Sequence, residues 1–325
     1  MSTAPAPTQE QPRQEHVLAI KELSVAFRSR NRTWTKVLEH FDLTLQPGQA
    51  TAIVGESGSG KTVATLAVMG LLPDHATIEA QRLQAGGCDL LAANPRARRR
   101  LLGPTLAMIF QEPRASLNPS LTVGHQLKEA MPKGSSNADV AALLAEVGMP
   151  DPRARLRAWP HELSGGMAQR VLIAMAIARK PQVLFADEPT TALDVTVQAQ
   201  ILALLASLQQ RHHMAMVFIS HDLAVVSQVA RHVLVLYAGT VVEEGDLPGL
   251  FRHPLHPYTQ GLIEALPGQG GLRPIPGLVP PPGQWPPGCR FAPRCPRSSA
   301  VCHQTPPPWV EANGARARCH HPLRS

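Results

Sequence analysis

The residues Gly55-Glu56-Ser57-Gly58-Ser59-Gly60-Lys61-Thr62 constrain this chain more than any other stretch. An apolar run, Thr51-Ala52-Ile53-Val54, precedes them and reads as a short buried strand. Val63-Ala64-Thr65-Leu66-Ala67-Val68-Met69 follows and reads as a helix. Strand, then G-x-x-x-x-G-K-[ST], then helix is the context in which the pattern specifies a phosphate-binding loop rather than a glycine-rich turn. Glycine admits φ > 0, so successive N–H groups can converge on one anion. The next helix starts with unpaired N–H groups and partial positive charge, which favours phosphate at that end. In such a loop Lys61 reaches the β- and γ-phosphates, and the Thr62 hydroxyl ligates Mg²⁺.

The 325 residues suffice for one large domain or two modest ones, and a 44% hydrophobic content can fill a core. A net charge of +7 is compatible with nucleic acid, an anionic membrane surface or nucleotide binding alone, and selects none of them. No apolar run approaches the roughly 18 residues of a membrane span. Residues 1–15 are rich in Pro, Gln and Thr and lack the charged-then-apolar order of a signal peptide. They are expected to form a disordered leader on a cytoplasmic protein.

Strands are expected at Val17-Leu18-Ala19-Ile20, Leu23-Ser24-Val25-Ala26-Phe27 and Leu43-Thr44-Leu45. Further on, the continuous apolar runs 106–110, 183–186, 216–219 and 233–236 alternate with helical patterns at 167–179, 197–208 and 223–229. That alternation predicts an α/β core with a parallel sheet covered on both faces. The helical periodicity of residues 121–160 interrupts it and reads as an inserted subdomain of about 112–163. From residue 267 onward lie 14 of the 32 prolines, which predicts an irregular appendage rather than more of the sheet.

Two carboxylates end the 183–186 run: Asp187, suited to a Mg²⁺ shell, and Glu188, suited to take a proton from an attacking water. Ligands bind at that end of the strands in open α/β sheets. Upstream, Leu163-Ser164-Gly165-Gly166-Met167-Ala168-Gln169-Arg170 places a capping serine and two glycines at a helix N-terminus, a second anion site.

That stretch resembles the signature motif of ABC-type ATPases, and its position between the phosphate loop and Asp187-Glu188 matches that family. The resemblance covers roughly residues 18–266. It implies a P-loop ABC cassette: a mostly parallel core sheet flanked by helices, N-terminal antiparallel strands and the helical insert, over residues 16–266. It also implies that Ser164, Gly165 and Gly166 meet the γ-phosphate of ATP held by a partner cassette. Gln111 resembles the coupling glutamine at the insert boundary and a Mg²⁺ or water contact. His221, in Ile219-Ser220-His221-Asp222, resembles the histidine that orients Glu188 and water. Ala192-Leu193-Asp194 matches the loop that meets the opposing cassette. Phe27 is the expected aromatic against adenine, with Trp34 the alternative.

Phe110-Gln111-Glu112-Pro113-Arg114-Ala115-Ser116-Leu117-Asn118-Pro119 and His253-Pro254-Leu255-His256-Pro257-Tyr258-Thr259 are similar to ATPase subunits of dipeptide, oligopeptide and nickel importers. The resemblance implies ATP hydrolysis with Mg²⁺, two transmembrane permease subunits and a second ATPase subunit, identical or a sister. It further implies an extracytoplasmic substrate-binding protein, no nucleic acid partner, and a peripheral place at the cytoplasmic face of the bacterial inner membrane. Ala168 stands where Arg is usual and Glu112 where Asp is usual; neither change removes a catalytic group. An ABC ATPase acting on DNA or ribosomes would show a long coiled-coil insert or two cassettes, and a phosphotransferase would not explain residues 163–170.

Cys88 stands alone and reads as an inert small residue, whereas Cys289, Cys295, Cys302 and Cys319 share the 267–325 extension. In a reducing cytosol such a group suggests metal ligation before disulfides. The intervals of 5, 6 and 16 residues contain no C-x₂₋₄-C pair of the zinc-knuckle kind. A [4Fe–4S] cluster, which the family resemblance also implies, structural Zn²⁺ with His303, His320 or His321 as substitute ligands, and no metal all stay open. Either metal would be structural, since a proline-rich tail cannot build its own core.

Overall fold

In the computed structural model, which describes residues 16–29, 31–191, 193–266 and 274–323, the chain opens with a long antiparallel pair. β1 (Leu18–Arg28) pairs with β2 (Trp34–Leu45). The two apolar runs expected as separate strands are joined into β1 across Lys21 and Glu22. The register shifts between Ile20 and Leu23, and Glu22 takes φ 54°. The extra residue restores the pleat, so Ile20 and Leu23 enter the same buried cluster.

β3 (Ala50–Val54) leads through the phosphate loop into α1 (Lys61–Met69). β4 (Ala76–Glu79) and β5 (Arg82–Ala85) each pair antiparallel with β1, and β6 (Cys88–Asp89) pairs with β5. α2 (Pro95–Leu101) starts where the Asn94 side chain accepts the Ala97 N–H, and β7 (Leu106–Ile109) follows. The insert comprises α3 (Pro113–Ser116), α4 (Val123–Ala130), α5 (Asn137–Glu146) and α6 (Pro152–Arg155). The first three pack on α7 (Gly165–Ile177), and Val140, Leu143, Leu144 and Val147 share one core with Val171 and Leu172. Thr122 caps α4, and a reciprocal Ser136–Asp139 capping box starts α5, so each boundary is written locally.

β8 (Val183–Asp187), α8 (Val195–His212), β9 (Ala215–Ser220), α9 (Leu223–Val226) and β10 (His232–Tyr237) alternate as expected. β11 (Thr240–Asp246) turns back antiparallel on β10, and α10 (Leu247–Arg252) and α11 (Pro257–Glu264) follow. In the central sheet β10, β3, β9, β8 and β7 are parallel neighbours in that order. Every residue of β8 and β9 is buried, the reason these strands read as unbroken apolar runs. Along β8, Val183 and Phe185 enter the cluster shared with the N-terminal sheet, while Leu184 and Ala186 enter the one shared with α7 and α8.

The extension departs from expectation at its end. Residues 274–308 are irregular apart from a 3-10 turn at Ala292–Arg294 and α12 (Ala300–Gln304). Past Pro308, β12 (Trp309–Ala312) and β13 (Ala315–Arg318) form a hairpin, and β13 pairs antiparallel with β11. The extension is therefore more of the sheet in part. No proline falls between Trp309 and His321, and the two turn residues, Asn313 and Gly314, take φ 53° and 75°. Asn-Gly with both φ positive is the two-residue turn whose twist matches a hairpin. The expected leader at residues 1–15 and the start of the extension at residues 267–273 lie outside the described residues. Among the described residues no helix is long and apolar enough to cross a membrane.

Candidate functional site

Parallel pairing decides which residues meet. Val54 pairs with Ser220, Asp187 with Ile219 and Ile109 with Ala186, so β3, β7, β8 and β9 end at one edge of the sheet. The residues just beyond those ends are Gly55, Gln111, Glu188 and His221.

The phosphate loop is held from below and open above. At Gly55, with φ 155°, a Cβ would stand 2.1 Å from the Leu236 carbonyl oxygen, so no side chain fits. At Gly58, with φ 78°, a Cβ would meet nothing within 4 Å, leaving space on the side a phosphate would approach. Ser59 is buried and its hydroxyl has no partner among the described residues. Lys61 is buried, and its Nζ donates to the carbonyls of Gly55 (2.7 Å) and Glu56 (2.9 Å). Burial pushes its ammonium below the usual lysine range, and Glu188, Asp187 and Glu56 pull it back.

Thr62 donates its hydroxyl to Asp187 Oδ2 at 2.8 Å. Asp187 is buried, which pushes its carboxyl up against the lowering effect of the Thr62 hydrogen bond. A buried carboxylate beside a hydroxyl offers oxygen donors suited to a small hard cation such as Mg²⁺.

Glu188 is the hub. Its Oε2 accepts from Gln111 Nε2 and from the Thr191 hydroxyl, each at 2.9 Å, and its Oε1 stands 3.2 Å from His221 Nδ1. The residue takes φ 46°, a left-handed conformation unfavourable for glutamate, and its N–H donates to the Ile219 carbonyl at 2.9 Å. The surrounding bonds thus fix both its backbone and its carboxylate.

The signature residues form a second group, at the starts of two helices. Exposed Ser164 accepts the Met167 N–H at the start of α7. A Cβ on Gly166 would lie 2.7 Å from Val197 Cγ1, and one on Gly165 would lie 3.4 Å from Leu193 Cδ2. The start of α7 therefore sits on the start of α8, where exposed Asp194 accepts the Val197 N–H at 2.9 Å. Of that expected loop, Ala192 lies outside the described residues. Phe27 is half-buried, with its ring 5.9 Å from that of His75, while Trp34 is 52% exposed at the end of β2.

Cys289, Cys295, Cys302 and Cys319 all line one small cavity, together with His256, Phe291, His320 and His321; Cys88 lies apart on β6. All five cysteines are free thiols. Among the described residues no three His, Cys, Asp or Glu side chains are close enough to hold one metal ion. His303, a substitute ligand in the sequence reading, bonds Ser298 instead and does not line the cavity.

Three residues of the site have no sequence expectation of this kind. Thr191 follows Glu188 by three residues in a Pro-containing turn, a weak signal for its bond to that carboxylate. Tyr258 accepts the Glu56 N–H through its hydroxyl at 2.9 Å, and Arg294 grips the Glu56 carboxylate. Both lie more than 200 residues from Glu56, beyond any local pattern.

Residues 38–191 match the ABC transporter family, and residues 242–302 match the oligopeptide/dipeptide transporter C-terminal region. The chain is similar to the dipeptide transport ATP-binding protein DppD of Haemophilus influenzae, with 45% identity over 94% of this chain and 96% of that one. It is similar to DppD of Bacillus subtilis, with 43% identity over 90% of each chain. Among solved structures it resembles cbiO1 of Clostridium perfringens, part of the ABC transporter complex cbiONQ, with TM-score 0.62, 24% identity, and coverage of 73% of this chain and 91% of that one. A dimeric, post-hydrolysis ATP-binding cassette bound to ADP and Pi gives TM-score 0.60, 22% identity, and coverage of 71% and 98%. The structures speak to the fold alone; the near-full-length relatives and the two matched regions together show that the chain belongs to the ABC transporter family, among the ATP-binding proteins of its oligopeptide/dipeptide branch.

Proposed function

We propose that this chain is the ATP-hydrolysing, energy-coupling subunit of a bacterial ABC importer for di- and oligopeptides. The observation that carries this reading is the meeting of Lys61, Thr62, Asp187, Glu188, Gln111 and His221 at one sheet edge, in a chain so similar to dipeptide transport ATP-binding proteins. The loop from Gly55 to Thr62 holds the triphosphate, with Lys61 on its β- and γ-phosphates. Thr62 and Asp187, with Gln111, would hold Mg²⁺, which when bound neutralises charge on the phosphate oxygens. Glu188 takes the proton of the attacking water, and Gln111, Thr191 and His221 keep its carboxylate aimed. Phe27 is the proposed adenine partner.

Ser164 and Asp194, exposed at the starts of α7 and α8, are proposed with Gly165 and Gly166 to act on ATP held by a second ATPase subunit, as the family resemblance implies. The insert is the proposed contact to two membrane permease subunits at the cytoplasmic face, with an extracytoplasmic binding protein delivering the peptide. Affinity purification from native membranes tests the assignment. The permeases are expected to co-purify, and recovery with no membrane protein would sink it.

In the extension, the four cysteines that line one cavity are the proposed ligands of a structural [4Fe–4S] cluster, as the family resemblance implies, with Zn²⁺ the alternative. Anaerobically purified protein is expected to absorb near ~400 nm and to lose that band on Cys295→Ser (a general property of such clusters). Stoichiometric zinc without iron would refute the cluster.

A further inference from the structure

Glu56 is the only acidic residue of the phosphate loop, and the C-terminal part of the chain holds it from two sides. Arg294 grips its carboxylate with both guanidinium arms, Nη1 to Oε2 at 2.7 Å and Nη2 to Oε1 at 3.1 Å. The Arg294 side chain is 4% exposed, against 32% for Glu56. Its remaining donors are committed as well: Nε donates to the Pro276 carbonyl at 2.8 Å, Nη2 also to the Ile275 carbonyl at 3.2 Å, and Nη1 also to the Tyr237 hydroxyl at 3.3 Å. A planar fork tied on every edge has one position, unlike an exposed ion pair. From α11, the buried Tyr258 hydroxyl accepts the Glu56 N–H. On the nucleotide side, Lys61 donates to the Glu56 carbonyl. Glu56 thus has its side chain, N–H and carbonyl bound by three separate parts of the molecule.

Two physical consequences follow. Arg294 neutralises a carboxylate that would otherwise stand unpaired in a loop meant for phosphate. It also fixes the residue whose backbone carbonyl positions Lys61. The geometry points to Arg294 as a positioning residue for the nucleotide: the extension braces the phosphate loop through Glu56, so ATP affinity depends on a segment 238 residues along the chain from that loop residue. This rests on residues 55–62 being the nucleotide-binding loop. Arg294 closes the 3-10 turn Ala292–Arg294 and directly precedes Cys295, so the brace is anchored in the wall of the cysteine cavity.

The test uses the full chain, a non-hydrolysable ATP analogue with Mg²⁺, and steady-state ATPase kinetics. If the unsubstituted chain fails to bind the analogue, the nucleotide-binding reading itself falls and the brace with it. Given binding, Arg294→Gln is expected to raise the Kd of the analogue and the KM for ATP about 10- to 100-fold, with kcat at saturating ATP within about twofold. Adding Glu56→Gln should return the affinity to within about fivefold of the parent, because the unpaired carboxylate is gone. Arg294→Lys, which keeps the charge but not the fork, should fall between. An unchanged Kd in Arg294→Gln would overturn the brace. So would a loss of affinity that Glu56→Gln does not relieve, since simple collapse of the extension would weaken the single and double variants alike.

Discussion

Glu188→Gln is expected to keep nucleotide binding and to lower turnover by about 10²- to 10⁴-fold, the range a positioned general base contributes. The substitution suits the site because it alters little else. A glutamine oxygen can still accept from Gln111 and Thr191, and its amide can face His221 Nδ1, so the three contacts at 2.9, 2.9 and 3.2 Å keep their geometry. What disappears is the basic oxygen proposed to take the water proton. Equilibrium titration with ATP and a phosphate-release assay separate the two effects. Hydrolysis that survives in Glu188→Gln assigns the base elsewhere, and a parallel loss of ATP affinity makes Glu188 a binding group rather than a base.

Lys61→Met is expected to act on the other side of that division, weakening ATP binding by about 10²-fold or more, since hydrogen bonds to a charged group contribute roughly 1.5–3 kcal/mol each. Methionine nearly fills the space of the buried side chain without its charge, so the loss reports electrostatics more than a cavity. The ammonium now bonds the carbonyls of Gly55 and Glu56, contacts compatible with the loop's present shape. Asp187, Glu188 and Glu56 gather around it, and without it their negative charge faces an incoming triphosphate uncompensated. Calorimetric titration with ATP checks this; unchanged affinity would place Lys61 off the phosphates.

The parallel strands were legible because burial on both faces leaves an unbroken apolar signature, as in Val183–Asp187 and Ala215–Ser220. Helix starts were legible where a cap is local, as at Asn94 and Ser164. That Glu188 and His221 share one edge of the sheet followed from each ending a buried strand, whereas Gln111 was placed by resemblance. The rest was hidden for definite reasons. β4, β5 and β6 are two to four residues long, too short for any periodicity. The ties from Glu56 to Tyr258 and Arg294 span 202 and 238 residues, and nothing near either end signals the other. The hairpin at Asn313-Gly314 carried a local signal that the proline-rich surroundings outweighed.

That hairpin settles how the central sheet ends. Without β13, the outermost strand would be β11, whose Val241 and Val242 are buried and whose N–H and C=O groups would lie open to another chain. With it, the border is β12, four residues long, where Arg316 and Arg318 of the neighbouring strand stack over Trp309 at 4.5 and 4.7 Å. Short, cation-covered borders resist edge-to-edge association. The extension thus covers that edge, and a cassette cut back to residue 266 would leave the β11 backbone open to pairing with another chain.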